Sequence, residues 1–392
     1  MREADSRGKL PGTVWALGIV SLFMDASSES IHGLLPLFLT VTLGAGAATV
    51  GLIDGVGEAV ASITKMLSGT LSDRMGRRKP LVLLGYGLAA LSKPLFPLAG
   101  SAAVVFLARI ADRFGKGVRG APRDAMIADV TPPELRGRAF GLRQALDTVG
   151  AIVGPLAAIG LMAAFADDMR LVFWIATIPA VLAALVVWLA VKEEGSPSSD
   201  RAGQRFRFAE LRELPADFWQ VIAIATVFTL ARFSEAFLVL KAHAAGLPLA
   251  LAPLVLVAMS VVYAAGSYPA GAWADRVAPR RVLIAGLACL IAADLTLAAA
   301  GSVAAAFAGI ALWGAHMALS QGLMGKLVAD HAPPELRGSS YGVFHLTTGL
   351  ATLAASVTAG LLWDRIGPAA TFLAGAAFAG LALLMASRMR RS

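Results

Sequence analysis

The chain has little of what a water-soluble protein of its size needs. Only 15% of its 392 residues are charged, whereas about a quarter are charged in typical soluble domains. Hydrophobic residues make up 57%, and the mean hydropathy is +0.71. A single cysteine, Cys289, excludes an internal disulfide and a metal cluster held by several cysteines. The composition therefore indicates a protein whose surface faces lipid.

Motifs of common enzymes are also missing. The sequence has no P-loop, no His-Glu-x-x-His and no Gly-x-Ser-x-Gly pattern, and no appended soluble domain. The formal net charge of +8 lies at the ends of apolar runs, not in one basic patch suited to nucleic acid. We expect neither an enzyme nor a nucleic-acid-binding protein.

Long apolar runs occupy most of the chain. Each has about 20 residues or more, enough for a helix to cross about 30 Å of hydrocarbon. They lack period-two alternation and are too long for barrel strands of about ten residues. The twelve runs, called spans 1 to 12 below, cover approximately residues 13–44, 47–71, 80–99, 102–127, 139–165, 170–191, 218–244, 250–273, 281–299, 302–328, 339–363 and 368–387.

Lysine and arginine are unevenly distributed between the connecting segments. Segments on one side carry 21 of these residues, and segments on the other side carry two, Arg170 and Arg365. By the positive-inside rule, both termini lie in the cytoplasm. We expect a multi-pass protein of the inner (plasma) membrane whose first span is not a cleaved signal peptide.

The two halves of the chain repeat each other. The segment 128–137 recurs at 329–338 with an offset of 201, and 69–74 recurs at 271–276 with an offset of 202. Parallel repeats of this kind place two bundles around an axis along the membrane normal. We therefore predict an all-α membrane protein of twelve transmembrane helices in two six-helix bundles related by pseudo-two-fold symmetry. The predicted domains are an N-terminal bundle over 1–191, a cytoplasmic linker over 192–217 and a C-terminal bundle over 218–392, with a substrate path between the bundles.

A charged loop between spans 2 and 3 resembles a signature of the major facilitator superfamily. It reads Gly69-x-x-x-Asp73-Arg74-x-Gly76-Arg77-Arg78, and a degenerate copy follows span 8. In that family the loop is a latch that stabilises one orientation, and the resemblance implies this role for Gly69, Asp73, Arg74, Gly76, Arg77 and Arg78. The alternative is that the arginines only anchor the topology. We expect Gly69 to let two helices approach closely and Gly76 to support a tight turn.

Two further motifs lie inside spans 4 and 5. Residues 113–117 (Arg-Phe-Gly-Lys-Gly) resemble the Arg-x-x-Gln-Gly motif of family helix 4, with lysine in place of glutamine. Gly150, Gly154 and Pro155 resemble the core of the antiporter motif of helix 5, although 158–159 (Ala-Ile) replaces its final Gly-Gly. We expect these three residues to permit close packing and a bend. The set is more similar to proton-coupled drug exporters than to sugar symporters.

Ionisable side chains inside the spans are candidates for the functional site. At mid-membrane such a group costs about 2.5–3.5 kcal/mol on insertion scales, so it is rare unless it is paired or faces water. Acids lie on single faces of spans 1 and 2 and a basic stripe lies on span 4, which predicts a buried ion-pair network in the first bundle. The proton-coupling candidates are Asp25, Glu29, Asp54, Glu58 and Arg113. Proton coupling, fixed bracing and direct substrate contact stay open for each acid.

Other ionisable residues are candidates for contact with a substrate. They are His32, Arg109, Lys116, Asp147, Arg232, Glu235, His316 and His345. Arg232 and Glu235 could equally form an ion pair on one helix. The lone histidines fit polar packing better than metal ligation, so no metal site is predicted.

These observations predict a secondary active transporter that works by alternating access. The leading hypothesis is proton-coupled export, by antiport, of a small amphipathic molecule. The alternative is an importer, by symport or facilitated diffusion, of an organic anion or a metal chelate, which the basic stripe on span 4 would suit. The expected partners are a small-molecule substrate, protons and the lipid bilayer, without cofactor or nucleic acid, and the expected state is a monomer.

Overall fold

The computed structural model describes residues 10–192, 214–274, 276–332 and 336–388. Almost all of the predicted linker over 192–217 therefore lies outside the described residues. The described residues form α-helices with short 3₁₀ and π segments and contain no strand, which confirms the all-α prediction. The α-helices are α1 Gly12–His32, α2 Leu35–Leu37, α3 Ala47–Met75, α4 Lys79–Ser92, α5 Leu95–Leu98, α6 Ala102–Val130, α7 Arg136–Ala164, α8 Met169–Ala190, α9 Ala216–Ala231, α10 Ala236–Ala244, α11 Leu254–Ala274, α12 Pro279–Ala299, α13 Val303–His331, α14 Arg337–Arg365 and α15 Pro368–Ser387.

Three predicted spans are broken helices. Span 1 comprises α1, α2 and a π-helical stretch, Phe38–Thr42, and span 3 comprises α4 and α5 with Pro94 between them. Proline has no N–H to continue the helix. Span 7 comprises α9 and α10, separated at 232–235. There the Ser234 hydroxyl accepts a hydrogen bond from Ala236 N at 3.1 Å, so a serine side chain replaces the helical bonding at the break.

Helix α6 differs from the other long helices in its charge. Eleven helical segments of the described chain are long and apolar enough to cross a membrane, and α6 is not among them. Its 29 residues are long enough for a span, but charged side chains are spread along it, so it is not apolar enough to be recognised as one by composition. Four of these side chains, those of Arg109, Asp112, Arg113 and Arg119, are buried inside the protein. These four charges are therefore shielded from lipid by the protein.

The chain forms two compact units. Unit 1 comprises residues 1–32 and 60–204, and unit 2 comprises 33–59 and 205–392. In unit 1, α1 packs along α7 and α8, and α4 packs on α6 and α8. In unit 2, α12 packs on α13 and α15, α11 packs on α13, and α9 packs on α14 and α15.

The segment 33–59 belongs to unit 2 through specific contacts. Asp364, at the end of α14, accepts hydrogen bonds from the first amides of α3, Ala47 N at 2.9 Å and Ala48 N at 2.8 Å. A carboxylate at a helix N-terminus is favoured by the helix dipole. A Cβ at Gly51 would overlap the carbonyl oxygen of Ser356, so the two helix backbones touch there. A division into domains at the linker, 1–191 and 218–392, stays a prediction.

Candidate functional site

Three ionisable side chains of α1 follow one another along the helix. Glu29 Oε2 lies 3.4 Å from Nδ1 of His32, and their side chains are 28% and 13% exposed. Asp25, one turn before Glu29, interacts electrostatically with Glu29 and with Asp147 of α7. The predicted acidic face therefore forms on α1, and Glu29 stays accessible within it.

The basic stripe of α6 faces these acids. Arg113 is buried and Lys116 is exposed, and both interact electrostatically with Glu29. Lys116 also interacts with Asp25. Arg113 and Glu29, the cation and the acid predicted to act together, therefore lie in the same unit and interact electrostatically.

A buried ion pair joins the end of α4 to α6. Lys93 Nζ lies 2.9 Å from Asp112 Oδ1, with side chains 2% and 5% exposed, and Lys93 also donates to Ser28 Oγ at 3.0 Å. Arg109 and Arg113 act on Asp112 electrostatically as well. Because these groups are closed off and mutually compensated, they act as a fixed brace.

Helix α7 carries a second set of ion pairs. Arg143 Nη1 lies 2.9 Å from Asp147 Oδ2, one turn away, and 3.8 Å from Asp124 Oδ1 on α6. Arg123 contacts Asp124 at 3.2 Å and donates to Ser21 Oγ of α1 at 3.0 Å. Helices α1, α4, α6 and α7 therefore contribute to one network of charges inside unit 1. The predicted network also included the acids of span 2, which the structure places in unit 2.

Asp54 and Glu58 lie in unit 2. The Ser234 hydroxyl donates to Asp54 Oδ2 at 2.7 Å, and Ser234 N donates to Ser356 Oγ at 3.2 Å. Glu58, one turn further along α3, is half-buried. Asp54 is therefore bonded at the break of span 7, and the proton-coupling candidates do not form one cluster within a single unit.

The prediction that Arg232 and Glu235 share a helix is wrong. Helix α9 ends before Arg232 and α10 begins after Glu235, so both residues lie in the break. The guanidinium carbon of Arg232 lies 5.5 Å from the ring centre of Phe228, within the range of a cation–π interaction.

The two candidate histidines of unit 2 lie in different surroundings. His316 is fully buried, and its Nδ1 lies 3.0 Å from the carbonyl oxygen of Trp313. His345 is exposed and stacks on Tyr341 with ring centres 6.3 Å apart. Within the described residues, no three His, Cys, Asp or Glu side chains converge as metal ligands would.

The family of the chain follows from its sequence as a whole. The model of the Major Facilitator Superfamily matches residues 17–253 and 221–391, which together span almost all of the twelve predicted runs. The chain belongs to the major facilitator superfamily.

Relatives and solved structures agree with this membership. An MFS-type transporter of Methanocaldococcus jannaschii is 33% identical over 391 residues, which cover 96% of this chain and 95% of that protein. The multidrug resistance protein MdtH of Proteus mirabilis is 30% identical over 160 residues, 41% of this chain and 39% of that protein. A crystal structure of a variant of the nucleoside transporter NupG aligns with a TM-score of 0.76 at 14% identity, over 96% of this chain and 98% of that chain. At this identity the likeness shows the fold alone, and it confirms the predicted all-α, two-domain fold class.

The glycines of the superfamily loop adopt the geometry expected of them. Gly76 has φ of +60°, a left-handed conformation that favours glycine. A Cβ at Gly69 would lie 3.3 Å from Ala121 Cβ on α6, so the two helices approach closely there. The tight turn and the close approach are both present.

The charged residues of the loop are not equivalent. Arg78 Nε lies 2.6 Å from Asp129 Oδ2 at the end of α6, and Arg78 also donates to Ser72 Oγ at 3.2 Å. Arg74 and Arg77 are exposed. The side chain of Asp73 lies outside the described residues. Arg78 therefore ties the loop to α6 within unit 1, and a latch role for the motif stays a prediction.

The glycines of the span 5 motif bring α7 against α1. A Cβ at Gly150 would overlap the carbonyl oxygen of Leu22, and one at Gly154 would overlap that of Ala26. Ser30 Oγ also donates to Gly154 O at 2.8 Å. Pro155 follows inside the helix and is buried. The expected close packing is therefore present at both glycines.

Two buried charged residues that the sequence reasoning missed share a simple signal. Lys93 in span 3 and Asp294 in span 9 each stand alone in an otherwise apolar interior of their span. A solitary charge in an apolar run needs a partner or a function, so each could have been selected by inspecting the spans one at a time.

Proposed function

We propose that this transporter is a proton-coupled exporter of a small amphipathic molecule, an antiporter that works by alternating access. We propose further that it acts as a monomer in the inner membrane with both termini in the cytoplasm. The observation that carries the proposal is Glu29, an accessible acid held between His32 and the cations Arg113 and Lys116. An acid so placed can exchange a proton with water and has cations that stabilise its ionised form.

The surrounding charges make Glu29 sensitive to conformation. Its cations lie on α6, and His32 lies on its own helix. If α6 moves relative to α1 during alternating access, Arg113 leaves or approaches Glu29, and the acid gains or loses a proton. Asp112, closed off and paired with Lys93 at the end of α4, takes no part in this proton exchange.

Export receives support from similarity and from charge. The partial relative MdtH is named a multidrug resistance protein. The basic stripe that would suit an organic anion acts electrostatically on Asp112, so part of its charge is already compensated. Both points favour export of an amphipathic molecule over import of an anion.

Proton coupling is tested in everted membrane vesicles that contain the full-length protein. A pH-sensitive dye reports proton movement on addition of each member of a panel of lipophilic cations. We expect the wild type to move protons on addition of a transported cation, and Glu29→Gln to lose this response because the variant cannot bind a proton at that site. Glu134→Gln is the matched control, since Glu134 is an exposed acid away from the network. Normal coupled flux in Glu29→Gln would remove this residue from the mechanism.

The direction of transport needs a separate test. A strain that lacks the transporter is grown with the same compounds under toxic and under nutrient-limiting conditions. Hypersensitivity of this strain supports export, and failure to grow on a limiting organic anion or metal chelate supports the importer instead.

A further inference from the structure

Asp294 of α12 is a carboxyl group enclosed in unit 2. Its exposed fraction is 0%, and neither carboxyl oxygen has a hydrogen-bond partner among the described residues. A Cβ at Gly375 would lie 2.7 Å from Asp294 Oδ2 and 3.0 Å from Phe233 Cε1. The carboxyl group therefore occupies the space that this glycine leaves open, next to the ring of Phe233.

The internal repeat gives Asp294 a counterpart in unit 1. At the offset of 201, Asp294 corresponds to Lys93, and Trp313 corresponds to Asp112. In unit 1 these two positions form an ion pair at 2.9 Å. In unit 2 the corresponding residues are Asp294, whose carboxyl group can accept a hydrogen bond, and Trp313, whose indole N–H can donate one. Both are buried, and neither of these groups has a hydrogen-bond partner in the part of the chain that the structure describes.

Phe233 lies close to both of these residues. Its ring centre lies 5.3 Å from that of Trp313, and its ring edge and the Asp294 carboxyl group both border the space beside Gly375. Phe233 precedes Ser234, whose hydroxyl donates to Asp54. Phe233 is therefore adjacent in the chain to the residue that binds Asp54.

No described ionisable group compensates a charge on Asp294. Those on α12, on the elements packed against it and at the span 7 break are Arg280, Arg281, Cys289, Tyr263, Tyr268, His316, His331, Arg232 and Glu235. None of them hydrogen-bonds the carboxyl group. Within the described residues, α15 carries no ionisable side chain between its ends. A bare carboxylate in such surroundings is strongly disfavoured, so the neutral acid is the form that fits this conformation.

A small cavity of about 30 Å³ lies near this part of unit 2. Phe233 and Gly375 contribute to its wall together with Thr371. These two residues are therefore shared between the cavity and the surroundings of the Asp294 carboxyl group.

We propose that Asp294 is a proton-binding site of unit 2, which holds its proton here and releases it when Phe233 withdraws and Trp313 donates to it. The O–H bond of the acid breaks, the proton passes to a water molecule that enters as Phe233 withdraws, and the carboxylate accepts the Trp313 Nε1–H hydrogen bond. This adds a second site to the proton coupling proposed above and rests on it. Its test measures protonation and not transport, so the two proposals can fail separately.

The test is a pH-difference infrared spectrum of the full chain in vesicles of phosphatidylethanolamine and phosphatidylglycerol. We expect a carbonyl stretch of a protonated, non-hydrogen-bonded carboxyl group that disappears as the pH rises and is absent in Asp294→Asn. Asp129→Asn is the matched control, because the Asp129 carboxylate is paired with Arg78 and should leave the band unchanged.

A second variant tests the partner of the ionised form. In Trp313→Phe the carboxylate loses its donor, so the pH at which the band disappears should rise by about one to two units. A wild-type spectrum without the band, or a band that persists in Asp294→Asn, overturns the proposal. If Asp294→Asn does not accumulate in the membrane, an unchanged midpoint in Trp313→Phe overturns it instead.

Discussion

Single residues show two ways of keeping a charge inside a membrane protein. Lys93 and Asp112 are buried and compensate each other at 2.9 Å, with Ser28 taking a further hydrogen bond from the lysine. Glu29 has cations nearby but stays partly exposed. A group can exchange protons only if water reaches it. The buried Lys93–Asp112 pair therefore differs from Glu29, which is partly exposed.

The buried pair makes a prediction about stability. Asp112→Leu should destabilise the protein by about 3–5 kcal/mol, because Lys93 would remain buried without its counter-ion. Adding Lys93→Met should restore most of this loss, as replacing both ends of a buried pair is often neutral. Denaturant unfolding in detergent measures both effects. A double variant no more stable than Asp112→Leu alone would contradict the brace.

At the scale of elements, backbone contact between helices replaces side-chain packing at several positions. Gly150 and Gly154 let α7 approach the carbonyls of α1, and Gly51 does the same between α3 and α14. Small residues at such crossings are a general device of membrane helices. The helix breaks, by contrast, follow local chemistry: a proline in span 3 and a serine cap in span 7.

The α1–α7 contact can be tested by replacing glycine with alanine at a position inside the contact and at a position outside it. Gly154→Ala should destabilise the protein by about 1–3 kcal/mol, because the new methyl group overlaps the Ala26 carbonyl. Gly160→Ala on the same helix meets no atom within 4 Å and should be neutral or stabilising by up to about 1 kcal/mol. Thermal stability of the purified proteins checks the difference. Equal melting temperatures would show that the crossing adapts to the extra atom.

At the scale of the whole molecule, charge distribution sets the orientation in the membrane. The arginines that flank the loop after α3 and the turn before α7 lie on the side predicted to be cytoplasmic. The turn at Ser101, between α5 and α6, lies on the predicted outer side.

Orientation is tested by cysteine labelling in a Cys289→Ser background. We expect a membrane-impermeant maleimide to label Ser101→Cys in intact cells and to label Glu134→Cys only after the cells are opened, since both positions are exposed. Labelling of Glu134→Cys alone in intact cells would invert the predicted topology.

The sequence was sufficient to predict the spans and the repeated halves, which depend on composition and on the internal repeat. It did not predict features that depend on contacts between residues far apart in the chain. Apolar runs and the offset of 201 were enough for twelve spans and two related halves. The break of span 7 was not predicted, because Ser234 is held by Asp54, 180 positions away. The partnership of Lys93 with Asp112 and the enclosure of Asp294 likewise exist only in the folded chain.

The assignment of residues 33–59 to unit 2 limits how this transporter can be divided. A chain severed at the linker would give a C-terminal fragment without the α3 amides that Asp364 binds and without Gly51 opposite Ser356. In that fragment Asp364 would lack the amides that it binds, and the face of α14 around Ser356 would lack the helix that packs on it. Expressed alone it would fold incompletely, and only a partner fragment that supplies residues 33–59 could complement it.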